Sequence, residues 1–181
     1  SIDTVISSLV GLTNTQQRIK EVSEMVIIVV DDGSTDASKL KIKQLQTKFK
    51  DTDSLSIDLI EHRTNRGLGA AVRSGFKTAK TLGADLVVKF DGDAQHDPED
   101  IFRLCKKLID EDLDLVYGDR FSRINYKMPL IRALGNKFFC ALMRWLTGWP
   151  IQDSQPGIFA ANANYLCEFS IPGSYNYTQQ V

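Results

Sequence analysis

Residues 85–101, DLVVKFDGDAQHDPEDI, form the stretch that decides the fold. Residues 86–90 are mostly apolar, which is typical of a buried parallel strand, and this run stops at an acidic turn. Residues 97–100, Asp-Pro-Glu-Asp, then predict a helix start, because Asp is favoured at the N-cap, Pro at the first helical position and acids in the first turn. The stretch therefore predicts a strand, an acidic turn and a helix in succession.

The acidic turn carries oxygen-bearing side chains at alternating positions, Asp91, Asp93 and Gln95. In an extended backbone these side chains point to the same side, and the small residues between them, Gly92 and Ala94, leave room for a ligand. Carboxylate and amide oxygens suit Mg²⁺ or Mn²⁺ better than Zn²⁺. The pattern favours a metal site that bridges to phosphate, although Asp-Gly-Asp also occurs in turns that bind nothing.

Strand and helix patterns alternate along the chain. Apolar or alternating runs predict strands at residues 25–30, 55–61, 86–90, 113–117 and 158–160. Amphipathic spacing predicts helices at residues 2–10, 37–50, 68–82 and 101–109. This alternation predicts an α/β fold with a Rossmann-like, mostly parallel sheet flanked by helices. In such sheets ligands bind beyond the carboxyl ends of the strands, where the acidic turns lie.

Another acidic turn, DDGSTD at residues 31–36, follows the first predicted strand. Ser34 or Thr35 is available to cap the next helix. Gly67 precedes a helix and allows close approach of a phosphate or another backbone. His62, at a strand end, is expected to be a solvated or hydrogen-bonded surface residue.

The composition is that of a soluble globular protein, since 43% of the 181 residues are hydrophobic and 25% are charged. We predict a single domain over residues 1–181. The net charge of −1 argues against nucleic acid as a partner. No apolar run reaches the roughly 18 residues that a membrane span needs. Three widely spaced cysteines predict reduced thiols in the cytoplasm and not zinc ligands.

Residues 126–149 differ in character, because basic residues alternate there with aromatic and aliphatic ones. Such a helix is typical of an element that lies on a membrane surface. A core helix with solvated Lys and Arg side chains fits the pattern equally well.

Four short motifs occur in a characteristic order. They are DDGSTD at residues 31–36, NRGLG at residues 65–69, DGDAQH at residues 91–96 and DSQPG at residues 153–157. Together they resemble family 2 of the inverting glycosyltransferases, which adopt the GT-A fold. The GDRF turn at residues 118–121 and the segment beginning at Arg132 resemble the branch of dolichyl-phosphate mannose synthase and other polyprenyl-phosphate glycosyltransferases.

The resemblance implies a role for each motif. Asp31 would contact the base or ribose of a nucleotide, and Asp32 would shape the turn. Asp91, Asp93 and Gln95 would hold Mg²⁺ or Mn²⁺ on the donor diphosphate. The implied donor-binding residues are Asp31, Asp32, Gly33, Arg66, Gly67, Asp91 and Gly92, and the implied catalytic residues are Asp93, Arg120, Arg132 and Asp153.

The implied function is inverting, metal-dependent transfer of a sugar from a GDP-mannose or UDP-glucose type of donor to a polyprenyl or dolichyl phosphate. The enzyme would work from the cytoplasm, on the face of a membrane. Arg120 and Arg132 would bind phosphate oxygens, for which a guanidinium offers a two-pronged fork. A phosphomonoester has a second pKa of about 6 and is mostly a dianion at neutral pH, so it needs no general base.

Asp153 keeps a second function open. A hydroxyl acceptor on a glycan or protein needs a base, and Asp153 is the late carboxylate available for that role. The same residue also fits an ordinary turn. A further alternative is an inactive module that binds a nucleotide sugar. A nucleotidyltransferase is disfavoured, because its glycine-rich, lysine-bearing opening turn is not visible.

The sequence also departs from the family pattern. The family's opening strand and its turn are missing, and relatives continue beyond residue 181, so we expect a chain that lacks the first strand and the C-terminal helices. Asp119 stands where a small residue is usual, and Pro156 replaces a residue such as serine.

Overall fold

The protein is described by a computed structural model over residues 2–12, 22–50, 55–93, 96–118, 130–148, 157–168 and 173. The elements in chain order are α1 (Ile2–Gly11), β1 (Met25–Asp31), α2 (Ser38–Lys48), β2 (Leu55–Glu61), α3 (Leu68–Thr81), β3 (Leu86–Lys89), α4 (Glu99–Asp110), β4 (Leu115–Tyr117), α5 (Leu130–Thr147), β5 (Phe159–Asn162) and α6 (Ala163–Glu168). The predicted strands and helices are present, and the α/β fold class is confirmed.

The first sheet pairs β1 with β2 in parallel. The register runs from Met25 opposite Leu55 to Asp31 opposite Glu61. Both strands are rich in β-branched and other apolar residues, which favour a pleated, half-buried surface. Because parallel strands end at the same edge, this register places two carboxylates side by side at the carboxyl end of the sheet.

The second sheet has β5 at its centre, antiparallel to both β3 and β4. Ala160 and Ala161 of β5 are completely buried. The small side chain of Ala160 lets α4 pack closely over one face of the strand, and Ala161 lies on the opposite face with Val72 of α3. On that opposite face, the Phe159 ring packs edge-on against Phe76 of α3, with ring centroids 6.1 Å apart. β5 is therefore enclosed between its neighbouring strands and two helices.

The two sheets share part of their apolar packing. One core cluster joins α1, α2 and the first sheet, and another joins α4 and the second sheet. Three partly buried side chains, Phe90, Ile101 and Phe102, pack against both clusters. Phe90 follows β3 directly, so the turn at the end of β3 lies next to a well-packed region.

The helix starts differ in detail from the predictions. Capping of α2 by Ser34 or Thr35 is wrong: α2 begins at Ser38, and Asp36 Oδ1 accepts a hydrogen bond from the Ser38 backbone N–H (3.0 Å). The reason is that Ala37 occupies the N-cap position of α2, so Ser34 and Thr35 lie too early in the chain to cap it. At α4 the N-cap residue is Pro98, so the expected places of Asp97 at the N-cap and Pro98 at the first helical position are one residue out. Asp97 Oδ1 still accepts a hydrogen bond from the Glu99 N–H (3.0 Å).

The strand β3 ends earlier than the metal pattern assumes. Lys89 is its last residue, and Gly92 and Asp93 form a turn. The expectation of an extended backbone through Asp91 and Asp93 is therefore wrong. The turn brings Gly92 against α1, because a Cβ atom on Gly92 would lie 3.1 Å from Ile2 Cδ1.

Candidate active site

Asp31 is the last residue of β1, and its side chain is almost completely buried, with 2% exposed. Its Oδ1 accepts a hydrogen bond from the backbone N–H of Ser34 (3.3 Å). Its Oδ2 lies 3.4 Å from Lys39 Nζ but accepts no hydrogen bond from any residue that the structure describes. Buried polar atoms are nearly always hydrogen-bonded. This oxygen is therefore a candidate acceptor for an N–H or O–H group of a ligand.

Asp32 uses both of its carboxylate oxygens inside the protein. Oδ1 lies 2.6 Å from His62 Nδ1 and accepts from the Arg66 backbone N–H (2.9 Å), and Oδ2 accepts from the Gly67 N–H (2.7 Å). Burial raises the pKa of Asp32, but the bonds to His62 and to the two backbone N–H groups outweigh it and lower the pKa below its ordinary value. Asp32 thus holds residues 62–67 against the end of β1.

Glycines make this close approach possible. Gly33 has φ +79°, and a Cβ atom there would lie 2.6 Å from the Asn65 nitrogen and 2.7 Å from the Thr64 carbonyl carbon. Gly67, just before α3, has φ +89°. Only glycine adopts such angles without strain. The turn after β1 and the loop after β2 therefore meet backbone to backbone.

His62 is buried, with 5% of its side chain exposed. Its Nδ1 faces Asp32, and its Nε2 lies 2.9 Å from Ser74 Oγ on α3. The expected surface position is wrong, although the expected hydrogen bonding is present. Partners at both ring nitrogens allow the imidazole to be buried without losing a hydrogen bond.

The acidic turn after β3 is anchored by Lys89. The Lys89 side chain is 8% exposed, and its Nζ donates to Asp91 Oδ1 (2.5 Å) and to the Gly157 carbonyl (2.7 Å). Lys89 pairs with Phe159 in the sheet, so Gly157 lies just ahead of β5 and across from Asp91. One buried ammonium thus connects the acidic turn to the chain that enters β5.

His96 closes the other side of this turn. Its Nε2 lies 3.9 Å from Asp91 Oδ2, and its ring packs edge-on against Phe90, with centroids 5.9 Å apart. A Cβ atom on Gly157 would overlap His96 Nε2 and lie 2.8 Å from its Cε1. A side chain at position 157 would therefore force the His96 ring to move, because the ring fills the space that the side chain would need.

The described carboxylates fit a cation that is shared with a phosphate ligand. Asp91 is half-buried and Asp93 is exposed, so oxygen atoms of this turn face solvent. Mg²⁺ is usually held by one or two carboxylates together with phosphate oxygens and water. No group of three or more His, Cys, Asp or Glu residues in the described part of the chain is arranged to hold a metal ion by itself.

The sequence-predicted site residues that the structure describes form two groups. One group lies at the end of β1: Asp31, Asp32, Gly33, Arg66 and Gly67. Arg66 contributes its backbone N–H there, and its side chain is exposed. The other group follows β3: Asp91, Gly92 and Asp93. Gln95, Arg120 and Asp153 lie outside the described residues, and Arg132 lies on α5, where its side chain is not described.

The helix α5 exposes apolar side chains on its described surface. These are Phe138, Phe139, Leu142, Trp145 and Leu146, and Trp145 is 80% exposed. The helix contains three basic residues and no acidic residue, and Lys137 and Arg144 are exposed. The alternative of a fully packed core helix therefore does not describe residues 137–146. Among the helices that the structure describes, none has the length and hydropathy that crossing a bilayer requires.

Sequence reasoning missed two lysines of the site. Lys39 lies beside Asp31, and Lys89 bonds Asp91. The pairing of Lys89 with Asp91 could have been inferred from the sequence. A lysine at the end of an apolar strand, two residues before a carboxylate, lies on the same side of the strand as that carboxylate. The contact of Lys39 with Asp31 could not have been inferred, since the position of Lys39 on α2 is indistinguishable in sequence from that of a solvated helical lysine.

Comparison with known proteins gives consistent results. The family model described as glycosyl transferase family 2 matches residues 4–166. A UDP-N-acetylglucosamine–dolichyl-phosphate N-acetylglucosaminyltransferase of Methanococcus voltae is 31% identical over 180 residues, which covers 91% of this chain and 72% of the relative. A polyprenol monophosphomannose synthase of Mycolicibacterium smegmatis is 31% identical over 160 residues, covering 86% of this chain and 58% of the relative.

A third relative is a dodecaprenyl-phosphate galacturonate synthase of Rhizobium johnstonii. It is 36% identical over 97 residues, which is 54% of this chain and 27% of the relative. The chain thus spans from about a quarter to about three quarters of the length of these curated relatives. The family match over most of the chain, with the acidic turns at the strand ends, shows that this chain belongs to glycosyl transferase family 2 and is a glycosyltransferase domain.

Proposed function

We propose that this domain transfers a sugar from a nucleotide diphosphate sugar to a polyprenyl phosphate at a membrane surface. The observation that carries the proposal is the pair of carboxylates at the strand ends. Asp31 has a buried oxygen that accepts no hydrogen bond from the residues that the structure describes, and Asp91 lies in the turn that also holds Asp93. The names of the relatives from M. voltae, M. smegmatis and R. johnstonii support a lipid phosphate as acceptor.

Donor recognition is assigned to the end of β1. Asp31 Oδ2 is buried and accepts no hydrogen bond from the described residues, so it suits a base N–H or a ribose hydroxyl. Asp32 does not compete for this role, because its oxygens already bond His62, Arg66 and Gly67. Asp31 binds the nucleotide in this proposal, and Asp32 keeps the turn in shape.

The diphosphate is assigned to the turn after β3. Asp91 and Asp93, with Gln95 as a proposed third ligand, would hold Mg²⁺ or Mn²⁺ there. A divalent ion bound at this turn supplies charge neutralisation for the departing nucleoside diphosphate. Asp91 is oriented for this task by Lys89, which fixes one of its two oxygens.

The acceptor in this proposal attacks the anomeric carbon from the face opposite the leaving group, which inverts the configuration. A lipid phosphate reaches the site as a dianion and needs cationic groups to bind it, not a base to deprotonate it. Arg120 and Arg132 are proposed for this binding.

The exposed surface of α5 is assigned to the membrane interface. Its exposed aromatic and aliphatic side chains, beside Lys137 and Arg144, suit the boundary of anionic lipids. Leu146→Ser is expected to weaken binding to anionic vesicles in sedimentation. Leu40→Ser on α2 is a matched control, because Leu40 and Leu146 are both 62% exposed. Equal binding by both variants would contradict this assignment.

The transfer itself is tested by turnover with Mn²⁺. Donors would be UDP-N-acetylglucosamine, UDP-glucose and GDP-mannose, and acceptors a short polyprenyl phosphate and simple sugars. Transfer to the lipid phosphate that survives Asp153→Asn is the expected result. Transfer only to sugars, lost in Asp153→Asn, would show that the acceptor is a hydroxyl with Asp153 as its base. Donor binding without any transfer would indicate an inactive module.

A further inference from the structure

Lys89 is the most deeply buried charged group around the acidic turn after β3. Its side chain is 8% exposed, whereas Asp91 is 30% exposed. Burying an ammonium is costly unless it is paired with a charge and hydrogen-bonded. Asp91 Oδ1 supplies the charge at 2.5 Å, and the Gly157 carbonyl supplies a further acceptor at 2.7 Å. Lys89 is therefore bonded to the acidic turn next to it and to Gly157, which lies 68 residues further along the chain.

These bonds fix the orientation of the Asp91 carboxylate. Oδ1 faces Lys89, and Oδ2 lies 3.9 Å from His96 Nε2 and 3.4 Å from the place where a Cβ atom of residue 157 would be. Lys89 thus fixes Oδ1, and Oδ2 points toward His96 and Gly157.

The same lysine opposes a metal ion in electrostatic terms. A divalent cation on Asp91 has the same sign of charge as Lys89 Nζ, and charges near a protein surface repel each other several times more strongly than in bulk water. Asp93 lies in the exposed part of the turn, where water screens its attraction for the ion. A donor diphosphate would bring negative charge that offsets the repulsion.

We propose that Lys89 is an internal counter-ion of Asp91, which positions the acidic turn while it is empty and weakens the binding of a free divalent cation there. The cation then binds mainly together with the donor diphosphate. This inference rests on the proposed function, because it concerns the same acidic turn. Lys89 is a positioning residue, since it acts on the donor site through Asp91.

The test measures binding of Mn²⁺ alone, with the electron paramagnetic resonance signal of unbound Mn²⁺ as the readout. Lys89→Met removes the charge at similar side-chain volume, and Lys89→Gln removes the charge but keeps an N–H donor for the Gly157 carbonyl. Both variants are expected to bind Mn²⁺ about tenfold or more tightly than the unsubstituted protein. Lys107→Met is the control, because Lys107 forms a 2.6 Å ion pair with Glu111 on the exposed surface of α4. It is expected to bind Mn²⁺ like the unsubstituted protein.

A purely structural lysine would give a different result. Mn²⁺ affinity that is unchanged or weaker in the folded Lys89→Gln variant would overturn the proposal, as would undetectable Mn²⁺ binding by every variant. Failure of both Lys89 variants to fold, judged by circular dichroism, would overturn it too, because stability alone would then explain the residue. The measurement contains no donor or acceptor, so it is independent of whether sugar is transferred to a lipid phosphate.

Discussion

The two acidic turns of this domain have similar sequences and different structures. After β1, both oxygens of Asp32 are bonded to His62 and to two backbone N–H groups. Its neighbour Asp31 has one buried oxygen that accepts no hydrogen bond within the described part of the chain. After β3, Asp91 is held by one buried lysine, and Asp93 is exposed. The difference shows that the role of an acidic residue at a strand end depends on which neighbours supply hydrogen-bond donors, not on the local sequence.

The largest expected effect is on catalysis, in the turn after β3. Asp93→Asn is expected to lower turnover with Mn²⁺ by roughly a hundredfold or more, because losing several kcal/mol of charge stabilisation has at least that consequence. Asp110→Asn is the control, since Asp110 is an exposed partner of Lys106 on α4. The measurement compares the steady-state rates of the two variants. Full activity of Asp93→Asn would show that Asp93 takes no part in the mechanism.

The next effect is on stability, in the turn after β1. Asp32→Ala removes the acceptor of three hydrogen bonds and takes away the partner of the buried His62 Nδ1. We expect the free energy of unfolding to fall by about 3 kcal/mol. Asp36→Ala removes an exposed acceptor at the start of α2 and is expected to change stability much less. Urea unfolding compares the two, and equal losses would mean that Asp32 is not the structural carboxylate described above.

A smaller effect is expected at Gly33, where the turn after β1 meets the loop after β2. Gly33→Ala is expected to cost about 2 to 3 kcal/mol, because φ is +79° and the new Cβ atom would meet backbone atoms of Thr64 and Asn65. Gly83→Ala is a matched control, with φ +74° and no atom within 4 Å of the new Cβ. Its expected cost is about 1 kcal/mol, from backbone strain alone. The measurement is the temperature of thermal unfolding. An equal decrease in both variants would show that the close contact of Gly33 with Thr64 and Asn65 is unimportant.

The smallest effect is on the pH dependence of stability. The pKa of Asp32 is lower in the folded protein than its value of about 3.9 in an unfolded chain. Its ionised form therefore stabilises the fold above that value, and this contribution disappears as the pH falls through the folded pKa. The difference in free energy of unfolding between the unsubstituted protein and Asp32→Asn should have its full value at pH 6 and a smaller value at pH 3. A difference that stays constant between these pH values would contradict the prediction.

Much of the fold follows from local sequence patterns. The apolar runs of β1 and β2 and the amphipathic spacing of α3 and α4 predict elements whose ends differ from the structure by no more than two residues. The direction of β5 could not be predicted in this way. Whether that strand enters the sheet parallel or antiparallel depends on where the chain arrives after α5, which is a property of the whole fold.

The sequence predicts which types of residue form the site, but not which groups those residues contact. The position of Asp91 at a strand end followed from the apolar run before it. His62 and Asp32 are 30 residues apart in sequence, and no local pattern shows that they meet. The same reason explains why the sequence does not predict the bond from Lys89 to Gly157, since Lys89 ends β3 and Gly157 lies just ahead of β5, 68 residues later.

The contact between Gly157 and His96 has a consequence for sequence variation. Any side chain at position 157 would occupy the space of the His96 ring. Among natural variants of this domain, a residue other than glycine at position 157 should therefore occur together with a smaller residue at position 96. In a mutant library, position 157 should accept substitutions more often when position 96 is varied in the same clone, so selection should act on these two positions together.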